Sequence, residues 1–401
     1  CALPISVVEP LFVSTFKCIG SKCRDHCCKG WDINLDKPAV NRYLKSSIIE
    51  IKNLATENIE VTRKSFASWG TMKLQPSGNC AFMDEDRLCK IHSRLGANAL
   101  SNTCSTYPRT SRIFKNEQQK TLSLSCPEAT RQLLSSEDAM LFQQTIKIQA
   151  EASQARDIDH QKKLINLMCL NIVKLSGEKL DEAIYALATF MLAIDRVSPE
   201  EDWLIQIESH FSDVLSSLEK GNIRLQLSQI KPDHNLQWSL LLRLQTWFGG
   251  MENKRAFPTL NHYLNKLIYI QAEGAKTNDI SQSMIWLDNV WQNQVLPWLT
   301  ERPWIMNNYF QYRIYEDFFP NDESRSPLMS LYLITAEWFL LKSLMAANVA
   351  MVGKIDEEDM VNIIYSYHSN TKHTANSARA FVAEINKSKI NDDISLIYLL
   401  R

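Results

Sequence analysis

Glycine is scarce, at 11 residues in a chain of 401. No Gly-x-Gly-x-x-Gly follows a predicted strand, and no Walker A loop is present. The two common backbone cradles for dinucleotides and nucleotide phosphates are therefore missing, which leaves a glycine-rich Rossmann methyltransferase or dehydrogenase unsupported. The Gly-x-Ser-x-Gly elbow and the His-Glu-x-x-His zinc helix are also absent. No charge of one sign dominates either, since 44 Lys+Arg stand against 45 Asp+Glu. Residues 1–130 hold 18 basic and 12 acidic side chains and the remainder 26 and 33. Such a mixed surplus argues against nucleic-acid binding, although the two parts can attract each other.

The chain does not open on a basic segment followed by an apolar stretch and a cleavage site, so a reducing cytoplasm is expected. Its first six residues, Cys-Ala-Leu-Pro-Ile-Ser, resemble a translated sequencing-adapter end, and Cys1 is set apart from the chemistry. One apolar run, Leu328 to Val352, is long enough to span a bilayer. Glu337 and Lys342 near its centre favour a buried core helix, with peripheral membrane contact as the alternative.

What the chain does have is cysteine in one place. Eight of its 10 cysteines lie between Cys18 and Cys126. They read Cys18-x4-Cys23-x3-Cys27-Cys28, Cys80-x8-Cys89, Cys104 and Cys126, leaving Cys1 and Cys169 outside. With 45% hydrophobic residues the chain can build a core without disulfide staples. Close-set thiols in such a chain point to metal or an iron–sulfur cluster. Both zinc and iron–sulfur clusters take thiolates in fours, so the spacing does not choose between them. The radical Cys-x3-Cys-x2-Cys signature fails, because its third position falls on Gly30. His26 and His92 are near enough in sequence to substitute as ligands. Asp84, Glu85 and Asp86 read as a solvated acidic turn, or as groups that bind a cation or hydrogen-bond a ribose.

The expected fold class is mostly α, with a Cys-rich metal- or cluster-binding module over 1–130 containing little β, then an all-helical domain over 131–401 for substrate or partner recognition. Asp36 is predicted to cap a helix running to about Ile51. Residues 62–74 allow short strands, and a hairpin-like loop is expected to bring Cys80 and Cys89 together. Arg112, Ile113 and Phe114 are expected opposite 121–124 as a strand pair. Helical periodicity then predicts helices at 128–153, 158–175, 179–195, 200–219, 236–247, 256–274, 280–298, 326–352, 356–369, 374–387 and 391–400.

Four stretches carry a resemblance. They are Cys18 to Trp31, Cys80 to Cys89 with Lys90-Ile91-His92, Cys104-Ser105-Thr106-Tyr107-Pro108-Arg109, and Leu124-Ser125-Cys126-Pro127-Glu128-Ala129. Together they resemble the flagellin lysine-N-methylase family and, more loosely, cysteine-cluster domains that chelate zinc or iron. The resemblance implies S-adenosylmethionine-dependent methylation of flagellin surface lysines in the cytoplasm. It also implies an iron–sulfur cluster, [4Fe–4S] or alternatively zinc, held among Cys18, Cys23, Cys27, Cys28, Cys80, Cys89, Cys104 and Cys126. Tyr107 and His92 are the candidate catalytic groups in the Cys-rich part, and Arg109 the candidate for a cofactor carboxylate. A pocket between module and helical domain is the default site. The competing readings are an iron–sulfur electron-transfer protein and a zinc-stabilised interaction protein.

Overall fold

The structure is a computed structural model that describes residues 3–31, 33–149, 155–197, 202–251, 254–276, 279–321, 325–388 and 395–401. The expected mostly helical chain is observed, and the strands described all lie between Leu3 and Gln149. Strand β1 (Leu3–Pro10) leads into the short α1 (Leu11–Ser14). A small three-stranded sheet follows, built from β2 (Asn34–Leu35), β3 (Ile59–Val61) and β4 (Gly70–Met72) in the order β2-β4-β3. Between β2 and β3 run α2 (Lys37–Leu44) and α3 (Ile49–Asn58). The Asp36 side chain caps α2 as predicted, accepting from the Ala39 N–H at 2.9 Å. The expected helix to Ile51 is instead these two, because Lys45 to Ile48 leaves the helical path.

The short helices α4 (Lys90–Leu95) and α5 (Asn102–Thr106) precede β5 (Arg109–Ile113) and β6 (Glu117–Leu122). The strand pair forms in a shifted register, with Arg112 opposite Gln119. Then comes α6 (Pro127–Ser135), which stops far short of residue 153. Residues 142–149 form β7 (Phe142–Gln149), antiparallel to β1, and 150–153 lie outside the described residues. Two causes explain the correction. Asn308 donates to the carbonyls of Leu133 at 3.2 Å and Ser136 at 2.7 Å, closing the end of α6 from elsewhere in the chain. The stretch Thr-Ile-Lys-Ile then alternates with period two, a strand pattern. The first sheet has the order β5-β6-β1-β7.

The rest is helical: α7 (His160–Ser176), α8 (Leu180–Ile194), α9 (Trp203–Glu219), α10 (Asn222–Ser228), α11 (His234–Gly249) and α12 (Phe257–Lys276). After these come α13 (Ile280–Val290), a π turn at Trp291–Val295, α14 (Leu296–Thr300), α15 (Trp304–Glu316), α16 (Pro327–Val352), α17 (Glu357–Thr371) and α18 (Ala375–Ser388). The last predicted helix appears as a 3-10 segment, Ser395–Leu400, and 391–394 lie outside the described residues. Helix α16 is the long apolar run, and 89% of its most apolar window is buried inside the protein. It is the core helix that Glu337 and Lys342 implied.

Burial is organised in two main clusters. A small one draws on residues from Ile33 to Ala99, including Tyr43, Phe82 and Cys80. The large one runs from Phe12 through Leu124 and Cys126 to Leu400. Residues just before and after Cys126 therefore belong to the helical core, while Cys80 and Cys89 pack with the small cluster. The loop from Cys18 to Trp31 lies where the two parts meet.

Candidate functional site

The cysteine side chains fall into two neighbourhoods. Cys27, Cys28, Cys80, Cys89 and Cys104 influence one another electrostatically. The Cys80 N–H donates to the Cys28 carbonyl at 2.8 Å, which ties the second cysteine stretch to the first. The expected hairpin is present: Met83 bridges Cys89, and the Asp84 carboxylate accepts from the Leu88 N–H at 2.7 Å. That contact makes Asp84 a turn-closing residue. Cys18, Cys23 and Cys126 form the second neighbourhood, in which Cys18 and Cys126 each bear on Cys23. Cys169 stands apart, fully buried in the helical core.

The thiols are not equivalent. Cys28 donates a hydrogen bond to Cys27, which brings the Cys27 thiol down to about 6 against the opposing effect of burial. The same bond, with burial, holds Cys28 up. Burial pushes Cys80 and Cys126 up to about 12. Loading a thiolate-binding group here would release the protons of the raised thiols, Cys80 among them. All nine described cysteines are free. Among the described residues, no three His, Cys, Asp or Glu groups converge tightly enough to hold an ion together. The donor chemistry of the first neighbourhood nevertheless suits an iron–sulfur core, which spaces its ligands widely. The His26 Nδ1 atom, between Cys23 and Cys27 in sequence, is buried without a partner.

Beside these thiols the loop meets the helical part through one buried cation. Arg255, just before α12, is 4% exposed. Its Nε donates to the Asp25 carboxylate at 2.9 Å, one terminal nitrogen to the Asp25 carbonyl at 3.1 Å and the other to the Tyr107 hydroxyl at 3.0 Å. Gly30 allows the approach. It has φ +68°, and a Cβ there would sit 2.9 Å from the Arg255 backbone nitrogen. A second bridge runs from Arg24 to Glu358 at 3.1 Å and Asn362 at 2.8 Å.

Tyr107 continues the network. Its hydroxyl lies 3.0 Å from Ser125 Oγ, which is 2.8 Å from His373 Nδ1 and 2.8 Å from Ser123 Oγ. The rings of Trp31, Tyr107 and His373 pack together, with centroids 4.7 to 5.9 Å apart. Burial, with Arg255 adding to it, lowers the His373 imidazole to about 4, so it is neutral near pH 7. With a proton on Nδ1 it donates to Ser125 and keeps a lone pair on Nε2, an atom that is buried without a partner. Burial raises the Tyr107 hydroxyl above its usual range, so it stays a phenol. The site therefore presents a neutral, oriented imidazole and a fixed cation.

Of the residues proposed from sequence, Tyr107 lies in this network. His92 lies on α4, exposed to solvent. Arg109 is also exposed and rests over the Phe16 ring at 5.3 Å. Sequence reasoning missed Arg255 and His373, which sit in no recognisable local motif. Asp25, Trp31 and Ser125 were already within the stretches that carry the family resemblance.

Comparison with known proteins bears on both parts of this site. Residues 166–399 match the FliB lysine N-methylase C-terminal domain. Over 404 residues the chain is 37% identical to the lysine-N-methylase of Salmonella typhimurium, with 99% of each chain covered. The chain belongs to the FliB lysine-N-methylase family. It is a protein-lysine N-methyltransferase. The flagellar biosynthetic protein FliU of Salmonella muenchen is 50% identical over 137 residues, which cover 34% of this chain and 81% of that protein. FliV of the same organism is 32% identical over 177 residues, covering 43% of this chain and 98% of FliV. No solved structure matches. The matched methylase domain contributes Arg255 and His373, whereas Asp25, Trp31, Tyr107 and Ser125 precede it.

Proposed function

We propose that this methylase transfers the methyl group of S-adenosylmethionine to surface lysines of flagellin in the cytoplasm, and that its N-terminal cysteines hold a [4Fe–4S] cluster. The flagellar names of the partial relatives support the choice of substrate. The observation that carries the assignment of the site is the neutral His373, fixed by Ser125 and unpartnered at Nε2, in the junction between the cysteine loop and the helical part.

A lysine nitrogen accepts a methyl group only when it is neutral. From a reference pKa near 10.4, that costs about 4 to 5 kcal/mol at pH 7. We assign His373 Nε2 the role of proton acceptor, with Tyr107 and Ser125 holding the ring in its tautomer. The lysine nitrogen then forms its bond to the methyl carbon, the sulfur–methyl bond breaks, and the sulfur keeps the electron pair. Arg255 is a positioning residue that aligns Tyr107 and the Asp25 loop. Four of Cys27, Cys28, Cys80, Cys89 and Cys104 would hold the cluster, which would order the loop that carries Trp31 and supply an electron-transfer centre.

The test is a pH profile of single-turnover methylation of flagellin by wild type and His373→Gln. A loss of two or more orders of magnitude, with the acidic limb flattened, is expected for a general base. An unchanged rate and limb would remove His373 from that role. Anaerobic iron and sulfide analysis of Cys80→Ser and Cys169→Ser tests the cluster: iron is expected to fall in the first and stay in the second.

A further inference from the structure

A second polar space lies deeper in the helical part, among the ends of α15 and α17 and the first turns of α16 and α18. It is a cavity of about 240 Å³. Its walls carry both signs of charge: Arg313, Arg325 and Lys372 on one side of the balance, Glu316 and Asp317 on the other. Glu337 beneath it already takes Arg313 at 2.8 Å and Lys372 at 3.0 Å, and Arg313 reaches Asp317 at 2.6 Å. Ser330 Oγ, on a residue 8% exposed that lines the cavity, is buried without a partner. Burial, with Asp317 beside it, raises Glu316 to about 7, while Arg313 keeps Asp317 ionised. A polar cavity with paired walls and a spare hydroxyl suits a small zwitterion rather than an apolar ligand.

Position links it to the junction. Ser123 lines the cavity, and its hydroxyl is 2.8 Å from Ser125 Oγ, the partner of His373. Ser123 on the cavity wall is thus two hydrogen bonds from the His373 ring. The volume is below that of pockets that enclose a whole drug-sized molecule, roughly 300 to 1,000 Å³. It therefore accommodates one end of such a molecule.

We propose that this cavity binds the α-amino-carboxylate end of the methyl donor, with the carboxylate toward Arg325 and Lys372 and the ammonium toward Glu316 and Asp317. The proposal rests on the methyl-transfer reading above. It separates donor binding from the cysteine loop, because the recognition groups named here all lie in the helical part.

Calorimetric titration of the full chain tests it, with S-adenosylhomocysteine and with adenosine as probes. Arg325→Gln and Ser330→Leu are the variants, checked for folding by thermal unfolding. Each folded variant is expected to lose at least tenfold in affinity for S-adenosylhomocysteine, while the weaker adenosine affinity holds within twofold. Unchanged S-adenosylhomocysteine affinity in both folded variants, with wild type still methylating flagellin, overturns the cavity assignment and leaves the methylase reading standing. Wild type that binds neither probe overturns both.

Discussion

Replacing Arg255 with methionine removes the guanidinium that joins the cysteine loop to the helical part. Three acceptors lose their donor: the Asp25 carboxylate, the Asp25 carbonyl and the Tyr107 hydroxyl. The Asp25 side chain is only 14% exposed, so water replaces the lost contacts poorly. Breaking one side of such a buried pair costs about 3 to 5 kcal/mol, most of it from the carboxylate left behind. Removing both charges is milder, since no ion is stranded. Arg255→Met with Asp25→Asn should therefore recover about 1 to 3 kcal/mol relative to the sum of the single losses. The assay is urea unfolding of the two single variants and the double variant, read as the shift in midpoint at constant slope. A loss below about 1 kcal/mol for Arg255→Met, or strict additivity in the double variant, would refute the reasoning.

Glu337→Gln removes the buried carboxylate that Arg313 and Lys372 share, while Arg313 keeps Asp317 at 2.6 Å, and a loss of about 2 to 3 kcal/mol in urea unfolding is expected. Gly30→Ala is expected to destabilise by about 1 to 3 kcal/mol, because φ +68° and the Arg255 backbone both oppose a Cβ; thermal unfolding reads it directly. Stability should also fall as pH drops from about 6.5 toward 4. His373 is neutral in the fold and its pKa is lowered to about 4, so below 6.5 the unfolded chain binds the extra proton. Allowing for partial exposure, the contribution is about 2 kcal/mol at pH 4, and His373→Gln should flatten that part of the curve. Glu316, raised to about 7, acts in the opposite direction, so the comparison of the two proteins isolates the histidine.

The helices with an apolar stripe were legible from sequence. His160–Ser176, Leu180–Ile194 and Trp203–Glu219 fall within a few residues of their expected bounds. Helix α15 was not legible, and its surroundings explain why. Ile305 to Tyr315 is buried on every side, with Asn307, Asn308, Gln311 and Arg313 inside alongside the aromatics. Such a helix has no polar face, so periodicity has nothing to detect. Its polar side chains bond to other elements, as when Asn307 reaches the Val173 and Gly177 carbonyls. Strand β7 shows a short period-two alternation, but its partner β1 lies more than a hundred residues earlier, and local propensity does not see that pairing. At the site, the cysteines and Tyr107 stood out by residue type and clustering. Arg255 and His373 are single residues that only the tertiary fold brings to the loop, 230 residues from Asp25 in the case of Arg255.

The most direct test of the account is intact-mass analysis of unmodified flagellin incubated with anaerobically purified chain and S-adenosylmethionine. The account predicts stepwise methyl additions on surface lysines, dependent on the donor and lost in His373→Gln at unchanged folding. Flagellin that stays unmodified with iron-loaded, folded wild type would contradict it.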